Sequence, residues 1–423
     1  MDNVRAIALS VLNKCLRAEQ YSNLALDAAL RRSTLSAADR GLLTALVYGT
    51  IERVLTLDHV ITALSSRKDI DPDTQNLLRL GLYQLAYMDR IPDHAAVNET
   101  VALATRRTKG FVNAVLRSFL RGGKQIDLPD PQTHPTDYLS VKYSFAPDLC
   151  RLFEDTYGFA RTESLLAAFC RQPPLTLRVN TLRISRAELL DRWIADGVNA
   201  EPTIESRTGI RVRGGAPTEL YGFSEGLFFV QDEASQLCVE ALDACPDMTV
   251  MDVCACPGSK SFGAAIEMQN RGRVISCDLH RSKLSLITAG AERLGISIIQ
   301  TEERDARSCK EEWLEAADRV LCDVPCSGFG VFAKKPELRY KDPSVSAPLP
   351  DIQLAILNNA SAYVRRDGLL VYSTCTLLSR ENGENVARFL ESHSDFCLLR
   401  ERTLYPDVDG TDGFYFAVMQ RMN

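Results

Sequence analysis

The chain has 423 residues, 45% of them hydrophobic, and a formal net charge of −6 at neutral pH. This length predicts two to three domains, and the negative charge argues weakly against a general nucleic-acid binder. The sequence has no run of about 18 apolar residues that would predict a membrane span, and its N-terminus lacks a signal-peptide pattern. We therefore expect a cytoplasmic protein, and a monomer. Its thirteen cysteines are expected to be free thiols, and their spacing predicts no metal site.

Residues 1–137 are predicted to form an all-α domain. Apolar residues recur every three or four positions in "DRGLLTALVYGTIERVLTLDHVITALS" and in "GFVNAVLRSFL". This period predicts a bundle of about five to seven helices. The stretch "RGGKQIDLPDPQTHPTD" then combines two adjacent glycines with three prolines and no periodicity. It is therefore predicted to be a linker.

Residues 138–231 are predicted to form a small connecting α+β domain. The segment up to about residue 172 returns to helical spacing. After it, "PLTLRVNT" alternates like a strand, "SRAELLDRWIADG" has a serine cap and a helical period, and "GIRVRG" is short and extended.

Residues 232–423 change to an alternation of strands and helices. The predicted strands are "TVMDVCA", "GRVISCD", "SIIQ", "RVLCDVP" and "GLLVYSTC", and helical patterns lie between them. Such alternation predicts an α/β, Rossmann-like domain with a parallel sheet covered on both faces. Ligands of these sheets bind beyond the carboxyl ends of the strands, so the residues that follow each strand form the candidate site.

The loop after the first of these strands is predicted to hold a small ligand. Its sequence "CACPGSK" is neither a Walker A loop nor a dinucleotide fingerprint, but a Pro-Gly turn at a helix start offers free backbone amides. Asp278 follows the second strand, where an acid either accepts ribose hydroxyls or caps the next helix. These features predict an adenosyl ligand without a pyrophosphate, S-adenosylmethionine. The predicted donor-binding residues are Cys254, Ala255, Cys256, Pro257, Gly258, Ser259, Lys260, Asp278, Asp305 and Asp323. Whether Lys260 contacts the donor or the substrate stays open.

Two cysteines also follow predicted strands, Cys326 in "DVPCSGFG" and Cys375 in "VYSTCTLL". The alternative, two unrelated core thiols, is weakened because both occupy loops beside the predicted donor site. A thiolate can add reversibly to carbon 6 of a pyrimidine, which makes carbon 5 nucleophilic toward a methyl group. Asp323 is placed to supply the proton or hydrogen bond that nitrogen 3 then needs. The local chemistry does not decide which thiol attacks.

The segments "DVCACPGSK", "CDVPCSGFG" and "VYSTCT" resemble motifs I, IV and VI of RNA 5-methylcytosine methyltransferases. The wider chain resembles the bacterial RsmB (Fmu/Sun) family, which modifies 16S ribosomal RNA. In particular, "YMDRIPDHAAVNETVALA" resembles its NusB-like RNA-binding domain and "DGFYFAVMQR" resembles its closing strand. The resemblance covers nearly the whole chain. It implies a NusB-like domain over residues 1–137, a methyltransferase domain over residues 232–423, and ribosomal RNA as the partner.

The family resemblance also implies the roles of the thiols. In that family the Thr-Cys cysteine is the nucleophile, here Cys375, and the Pro-Cys cysteine assists product release, here Cys326. DNA cytosine methyltransferases use the Pro-Cys thiol as the nucleophile instead. Two other functions are alternatives: an RNA-binding protein with an inactive catalytic domain, and a methyltransferase of DNA or of a small molecule. The intact thiols and acids oppose the first, and the helical domain opposes a small-molecule substrate.

Two features leave expectations to be tested. The family's usual Cys-Ala-Ala-Pro-Gly-Gly-Lys-Thr loop is changed here at Cys256, Ser259 and Ser261. If Ser259 adopted a positive φ, its side chain would cost about 1 kcal/mol and weaken donor binding. A basic run with an aromatic residue, "FAKKPELRYKDP", follows the Cys326 turn and suits phosphates and a stacked base, or else is a solvated loop. The predicted RNA-contact residues are Lys334, Lys335, Arg339 and Tyr340.

Overall fold

The structure, a computed structural model, describes residues 3–17, 20–65, 67 and 69–422. The chain divides into two compact units. The first comprises residues 1–171 and 332–345, and the second comprises residues 172–331 and 346–423. This division differs from the predicted boundaries after residues 137 and 231. Residues 138–171 belong with the N-terminal helices, and residues 172–231 share a unit with the α/β sheet.

The first unit is helical throughout its described elements, and the described part of residues 4–121 contains seven helices, within the predicted range. Amphipathic spacing forms these helices, and side-chain caps begin two of them, at Ser36 and at Asp71, which is followed by a proline. Its helices are α1 Val4–Arg17, α2 Ser22–Arg32, α3 Ala37–Glu52, α4 Val54–Leu64, α5 Pro72–Tyr87, α6 Asp93–Leu103, α7 Lys109–Arg121, α8 Pro135–Tyr143, α9 Pro147–Tyr157 and α10 Phe159–Phe169.

The segment 332–345 belongs to the first unit because it supplies an aromatic side chain to that unit's core. The ring of Phe332 is fully buried and packs edge-on against Phe145 and Phe169, with centroids 5.1 and 4.9 Å away. Phe145 and Phe169 come from the region that was predicted to start a separate domain. Burial of three phenylalanines against one another explains why the structure joins these regions.

The second unit begins with a four-stranded antiparallel sheet in the order β2-β3-β1-β4. Helix α11 begins with a capping box between Ser185 and Glu188, and its Trp193 is buried edge-on against Phe228. The elements are β1 Leu175–Val179, α11 Arg186–Ala195, β2 Ala200–Pro202, β3 Gly209–Val212 and β4 Phe228–Val230.

A seven-stranded sheet forms the rest of the second unit, in the order β10-β11-β9-β8-β5-β6-β7. Strands β5 to β9 run parallel to one another, whereas β11 is antiparallel to both β9 and β10. The elements are α12 Glu233–Ala241, β5 Thr249–Asp252, α13 Ser259–Glu267, β6 Arg273–Asp278, α14 Arg281–Leu294, β7 Ile299–Glu303, β8 Ala317–Asp323, α15 Leu349–Ser361, β9 Val364–Thr374, α16 Gly383–Ser392, β10 Phe396–Leu404 and β11 Phe414–Arg421.

The strand order places a topological switch point between β5 and β8. From β5 the chain proceeds outward to β6 and β7, and then returns to place β8 on the other side of β5. The loops after β5 and β8 therefore diverge and leave a crevice at the carboxyl edge, where such sheets bind ligands. In the described part of the chain, no helix combines the length and the apolar character that a membrane crossing requires. The cytoplasmic location stays a prediction.

Candidate active site

An ion pair spans the switch point between β5 and β8. The Nζ atom of Lys260, on the first turn of α13, lies 2.6 Å from Oδ2 of Asp323 at the end of β8. Ser373, in register with Asp323 on the neighbouring strand β9, donates its hydroxyl to the other carboxylate oxygen at 2.7 Å. Burial disfavours the Lys260 ammonium, but the charge of Asp323 raises the pKa of this lysine above its ordinary value. Lys260 therefore stays protonated at neutral pH.

The loop that precedes Lys260 has the turn geometry that its glycine allows. Gly258 has a φ of +106°, and a Cβ there would lie 2.7 Å from the ring of Phe262. Ser259 begins α13 and is absent from the described non-glycine residues with positive φ. The expected cost of a serine at this position therefore does not arise. The loop also lies against β6, because the amide of Ala255 donates to the carbonyl of Cys277 at 2.7 Å.

Asp278 and Asp305 lie at the neighbouring strand ends, as the alternation of strands predicted. The backbone joins them, since the amide of Arg304 donates to the carbonyl of Asp278 at 2.9 Å. Oδ1 of Asp278 accepts a hydrogen bond from the amide of His280, the residue before α14, at 2.9 Å. Asp305 forms a two-pronged pair with Arg307, which lowers the pKa of this carboxyl to about 2. Asp278 thus agrees in part with the alternative interpretation, a cap for the next helix, since it accepts a hydrogen bond from the backbone where that helix starts.

The two candidate thiols lie together. Sγ of Cys326, after β8, is 3.2 Å from Sγ of Cys375, after β9. Both are half-buried, and strands β8 and β9 are adjacent and parallel. The hydrogen bond to Cys375, together with burial, raises the pKa of Cys326 well above its ordinary value. Because two thiolates at this distance would repel each other, the arrangement disfavours ionisation of both thiols at once.

Sequence reasoning did not single out a layer of buried polar residues beneath the thiols. Glu381 is fully buried, and its carboxylate accepts hydrogen bonds from the amide of Ser327 and from the side chain of Gln353. Asn382 bonds to the turn that carries Cys375. These residues lie in "SRENGENV", a charged segment shortly after Cys375. Such composition is typical of a solvent-facing segment, and the sequence therefore did not indicate that Glu381 is buried.

Asp252, at the end of β5, is a second acid of this kind. It is almost fully buried, and Oδ2 accepts a hydrogen bond from Ser261 at 2.7 Å. Burial is the main reason why the pKa of Asp252 rises to about 7. Ser261, which departs from the family's usual threonine, therefore keeps a hydroxyl that serves the end of β5.

Comparison with known proteins places these features in a family. Residues 239–420 match the family described as 16S rRNA methyltransferase RsmB/F, residues 2–121 match the NusB family, and residues 149–219 match the ferredoxin-like domain of RsmF/B-like methyltransferases. A Bacillus subtilis protein named probable ribosomal RNA small subunit methyltransferase B is 39% identical, with 99% of each chain covered. The Synechocystis protein of the same name is 38% identical over 94% of this chain and 91% of its own.

The chain belongs to the RsmB/F methyltransferase family. A solved structure, described as that of PH0851, has the same fold at a TM-score of 0.82, with 25% identity over 99% of this chain and 98% of the other. The predicted fold class is therefore confirmed: an all-α NusB-like region, a small α+β region and a Rossmann-like methyltransferase region. The resemblance to RsmB and the assignment as a methyltransferase are confirmed as well.

In this RsmB/F methyltransferase, the predicted RNA-contact run divides into exposed and buried residues. Lys334 and Lys335 are exposed. Arg339 is 1% exposed, and its guanidinium donates to the carbonyls of Glu52 at 3.1 Å and Phe169 at 2.8 Å. The hydroxyl of Tyr340 donates to the carbonyl of Ile51 at 2.5 Å. The expectation of RNA contact by Arg339 and Tyr340 is thus corrected, because their polar groups are bonded inside the helical unit.

Proposed function

We propose that this protein transfers a methyl group from S-adenosylmethionine to carbon 5 of a cytosine in 16S ribosomal RNA, through a covalent cysteine adduct at carbon 6. The observation that carries the proposal is the pair of thiols 3.2 Å apart at adjacent strand ends, on the sheet edge that also holds Asp323 and Lys260. One thiol is needed for addition, and a second permits a separate role in release. Membership of the RsmB/F family supports the substrate.

The donor is assigned to the loop Cys254–Lys260 with Asp278, Asp305 and Asp323. The turn at Gly258 supports this assignment, since a side chain there would collide with Phe262 and alter the start of α13. The loop lies beside β6, so backbone amides and the Asp278 carboxylate face the same edge of the sheet. S-adenosylmethionine, when bound there, supplies an electrophilic methyl group.

The thiols are assigned to the two halves of the cycle. The thiolate of Cys375 adds to carbon 6, and the electron pair of the carbon 5–carbon 6 double bond shifts through the ring toward nitrogen 3, which takes up a proton. Carbon 5 then uses that electron pair to take the methyl group, and the donor leaves as the demethylated thioether. Water takes the proton from carbon 5, the electrons of that bond re-form the double bond, and the bond between carbon 6 and sulfur breaks, which returns Cys375 as a thiolate. Cys326 assists this release. The assignment follows the family resemblance, and the raised pKa of Cys326 agrees with a residue that stays protonated while its neighbour attacks.

The ring nitrogen needs a proton as the thiolate adds, and the Lys260–Asp323 pair is the proposed source. The charge of Asp323 raises the pKa of Lys260, so the ammonium of Lys260 carries the proton of this pair. Asp323 orients the base by accepting a hydrogen bond from the exocyclic amine of the cytosine. The Lys260 ammonium, held by Asp323, gives the proton to nitrogen 3. The same pair takes the proton back when Cys375 leaves. This assigns Lys260 to the substrate side of the site.

The helical unit is assigned to RNA binding. Residues 100–126 contain six Lys or Arg residues and no Asp or Glu. Five of the six are exposed: Arg106, Arg107, Lys109, Arg117 and Arg121. An exposed surface of one charge sign attracts a phosphate backbone. The match to the NusB family over residues 2–121 covers this segment.

The covalent step is tested with single-cysteine variants. Cys375→Ala should abolish methylation and leave no denaturation-resistant RNA adduct, because nothing adds to carbon 6. Cys326→Ala should still permit attack and methyl transfer but should accumulate that adduct. The measurement is a denaturing gel with radiolabelled 16S RNA, alongside bisulfite sequencing of ribosomal RNA from cells with and without the gene.

Cys245→Ala, which changes an exposed cysteine after α12, is the matched control and should behave as wild type. An adduct with Cys375→Ala but not with Cys326→Ala would exchange the two roles. Normal turnover of both variants without any adduct would remove covalent catalysis from the proposal.

A further inference from the structure

Glu381 holds the turn that carries Cys326 from both sides. Its Oε2 atom accepts a hydrogen bond from the amide of Ser327, the residue after Cys326, at 3.0 Å. The same oxygen accepts from Nε2 of Gln353 at 2.8 Å, and Gln353 also donates to the carbonyl of Pro325, the residue before Cys326, at 3.0 Å. Glu381, Gln353 and Ser327 are all buried, so water does not compete for these bonds.

Asn382 holds the turn that carries Cys375 in the same manner. Its Oδ1 atom accepts from the hydroxyl of Thr374, the residue before Cys375, at 2.5 Å. Its Nδ2 atom donates to the carbonyl of Thr376, the residue after Cys375, at 2.9 Å. Asn382, Thr374 and Thr376 are buried as well. Two consecutive residues therefore each clasp one thiol turn.

Besides the contact between the thiols, a hydroxyl hydrogen bond joins the two turns to each other. The hydroxyl of Ser327 donates to that of Thr376 at 2.8 Å. These two residues directly follow Cys326 and Cys375 in the sequence. The charge of Glu381 also adds to the raised pKa of Cys326, after the Cys375 hydrogen bond, burial and the charge of Cys375. The polar layer thus holds each turn through its own buried partner, although the thiols are only 3.2 Å apart.

We propose that Glu381 and Asn382 are positioning residues with separate duties: Glu381 holds Cys326 for product release, and Asn382 holds Cys375 for attack. Neither residue contacts the reacting base in this proposal. Each acts through the turn that it holds, and the adjacency of the two residues keeps both thiols at one target base. The inference depends on the proposed covalent mechanism.

The test separates the two steps of the reaction. Glu381→Ala should leave the single-turnover rate of methyl transfer within about threefold of wild type, but should slow multiple turnover about 10- to 150-fold and accumulate the denaturation-resistant adduct. Asn382→Ala should slow single-turnover methyl transfer about 10-fold or more without accumulating adduct. Glu381→Gln retains an oxygen for both hydrogen bonds and should restore release.

Two further variants guard against misfolding, with thermal melting as the check on each protein. Gln353→Ala loosens the Cys326 turn independently and should accumulate adduct, and Thr374→Val should slow attack as Asn382→Ala does. If Glu381→Ala and Asn382→Ala slow both steps in the same proportion, or if Glu381→Gln behaves like Glu381→Ala, the separate positioning roles are wrong. Cys326→Ala is assayed in parallel. Adduct with Cys326→Ala but none with Glu381→Ala overturns this inference alone, whereas no adduct with Cys326→Ala overturns the covalent mechanism itself.

Discussion

Lys260 and Arg339 are both buried cations, but they differ in the groups to which they bond and therefore in their expected roles. Lys260 is paired with a carboxylate whose side chain is 30% exposed, at the carboxyl edge of a parallel sheet. Arg339 bonds to backbone carbonyls within a helical core. A neutral carbonyl satisfies a guanidinium without leaving a group for a ligand, whereas an exposed carboxylate oxygen can still accept a further bond. The partner of a buried cation therefore distinguishes a site from a structural contact.

The largest expected effect breaks the Lys260–Asp323 pair. Asp323→Asn should lower the single-turnover rate of methyl transfer about 100- to 10,000-fold, because the amide lacks the negative charge that pairs with the Lys260 ammonium and keeps one acceptor oxygen in place of two. The measurement is a rapid-quench assay with donor affinity determined by calorimetry. Ser373→Ala, which removes only the hydroxyl bonded to Asp323, is the matched control and should have a smaller effect. Equal rates for Asp323→Asn and wild type would take Asp323 out of the mechanism.

Arg339→Ala should instead act on stability. Two charge-assisted hydrogen bonds disappear and two buried carbonyls lose a donor, so the free energy of unfolding should fall by about 3 kcal/mol. The rate per folded molecule and the affinity for RNA should not change. Lys335→Ala, at an exposed site in the same segment, should change stability by less than about 0.5 kcal/mol. Urea denaturation and RNA titration compare them, and a loss of RNA affinity confined to folded Arg339→Ala would restore the contact that the structure corrects.

Most of the catalytic region was predictable because period and strand-end position are local signals. Alternating apolar strands fixed the sheet, and parallel strands must end at one edge, so Asp278, Asp323, Cys326 and Cys375 had to lie near one another. Glu381 was not predictable, since its burial depends on strand β8 and helix α15, which are distant in the sequence. The prediction for Arg339 was wrong for the same reason. The composition of its segment predicted an exposed side chain, but Arg339 is buried against the core of residues 145–169.

Asp278 combines the features that separate Lys260 from Arg339. It is bonded to one backbone amide, as in a structural contact, but it is partly exposed and can accept a further bond. If it also accepts the ribose hydroxyls of the donor, Asp278→Ala should weaken donor binding about 10- to 150-fold. Calorimetry with S-adenosylmethionine measures this directly. Asp247→Ala, at an exposed acid before β5, is the control and should bind normally. Unchanged affinity in a folded Asp278→Ala variant would leave Asp278 with its helix-start role alone.

The smallest expected effect concerns exposed cations, which form a third class beside Lys260 and Arg339. Arg117 and Arg121 lie one helical turn apart on α7, in a stretch without acids, and their side chains donate to the neutral residues Asn113 and Ser118. Because no carboxylate in the described part of the chain pairs with either arginine, we expect both to be available to a phosphate backbone. Replacing both with alanine should weaken binding of 16S RNA roughly 10-fold and lower the slope of log affinity against log salt concentration by about 0.7 to 0.9 per lost contact.

The full chain should be used for this measurement, because residues 138–171 and 332–345 complete the helical unit and a fragment ending at residue 137 would lack them. Arg151→Ala is the matched control, since Arg151 is exposed on α9 but already paired with Asp148. An equal loss of affinity for Arg151→Ala would indicate a general charge effect, and an unchanged salt slope for the α7 variant would exclude that helix from the RNA interface.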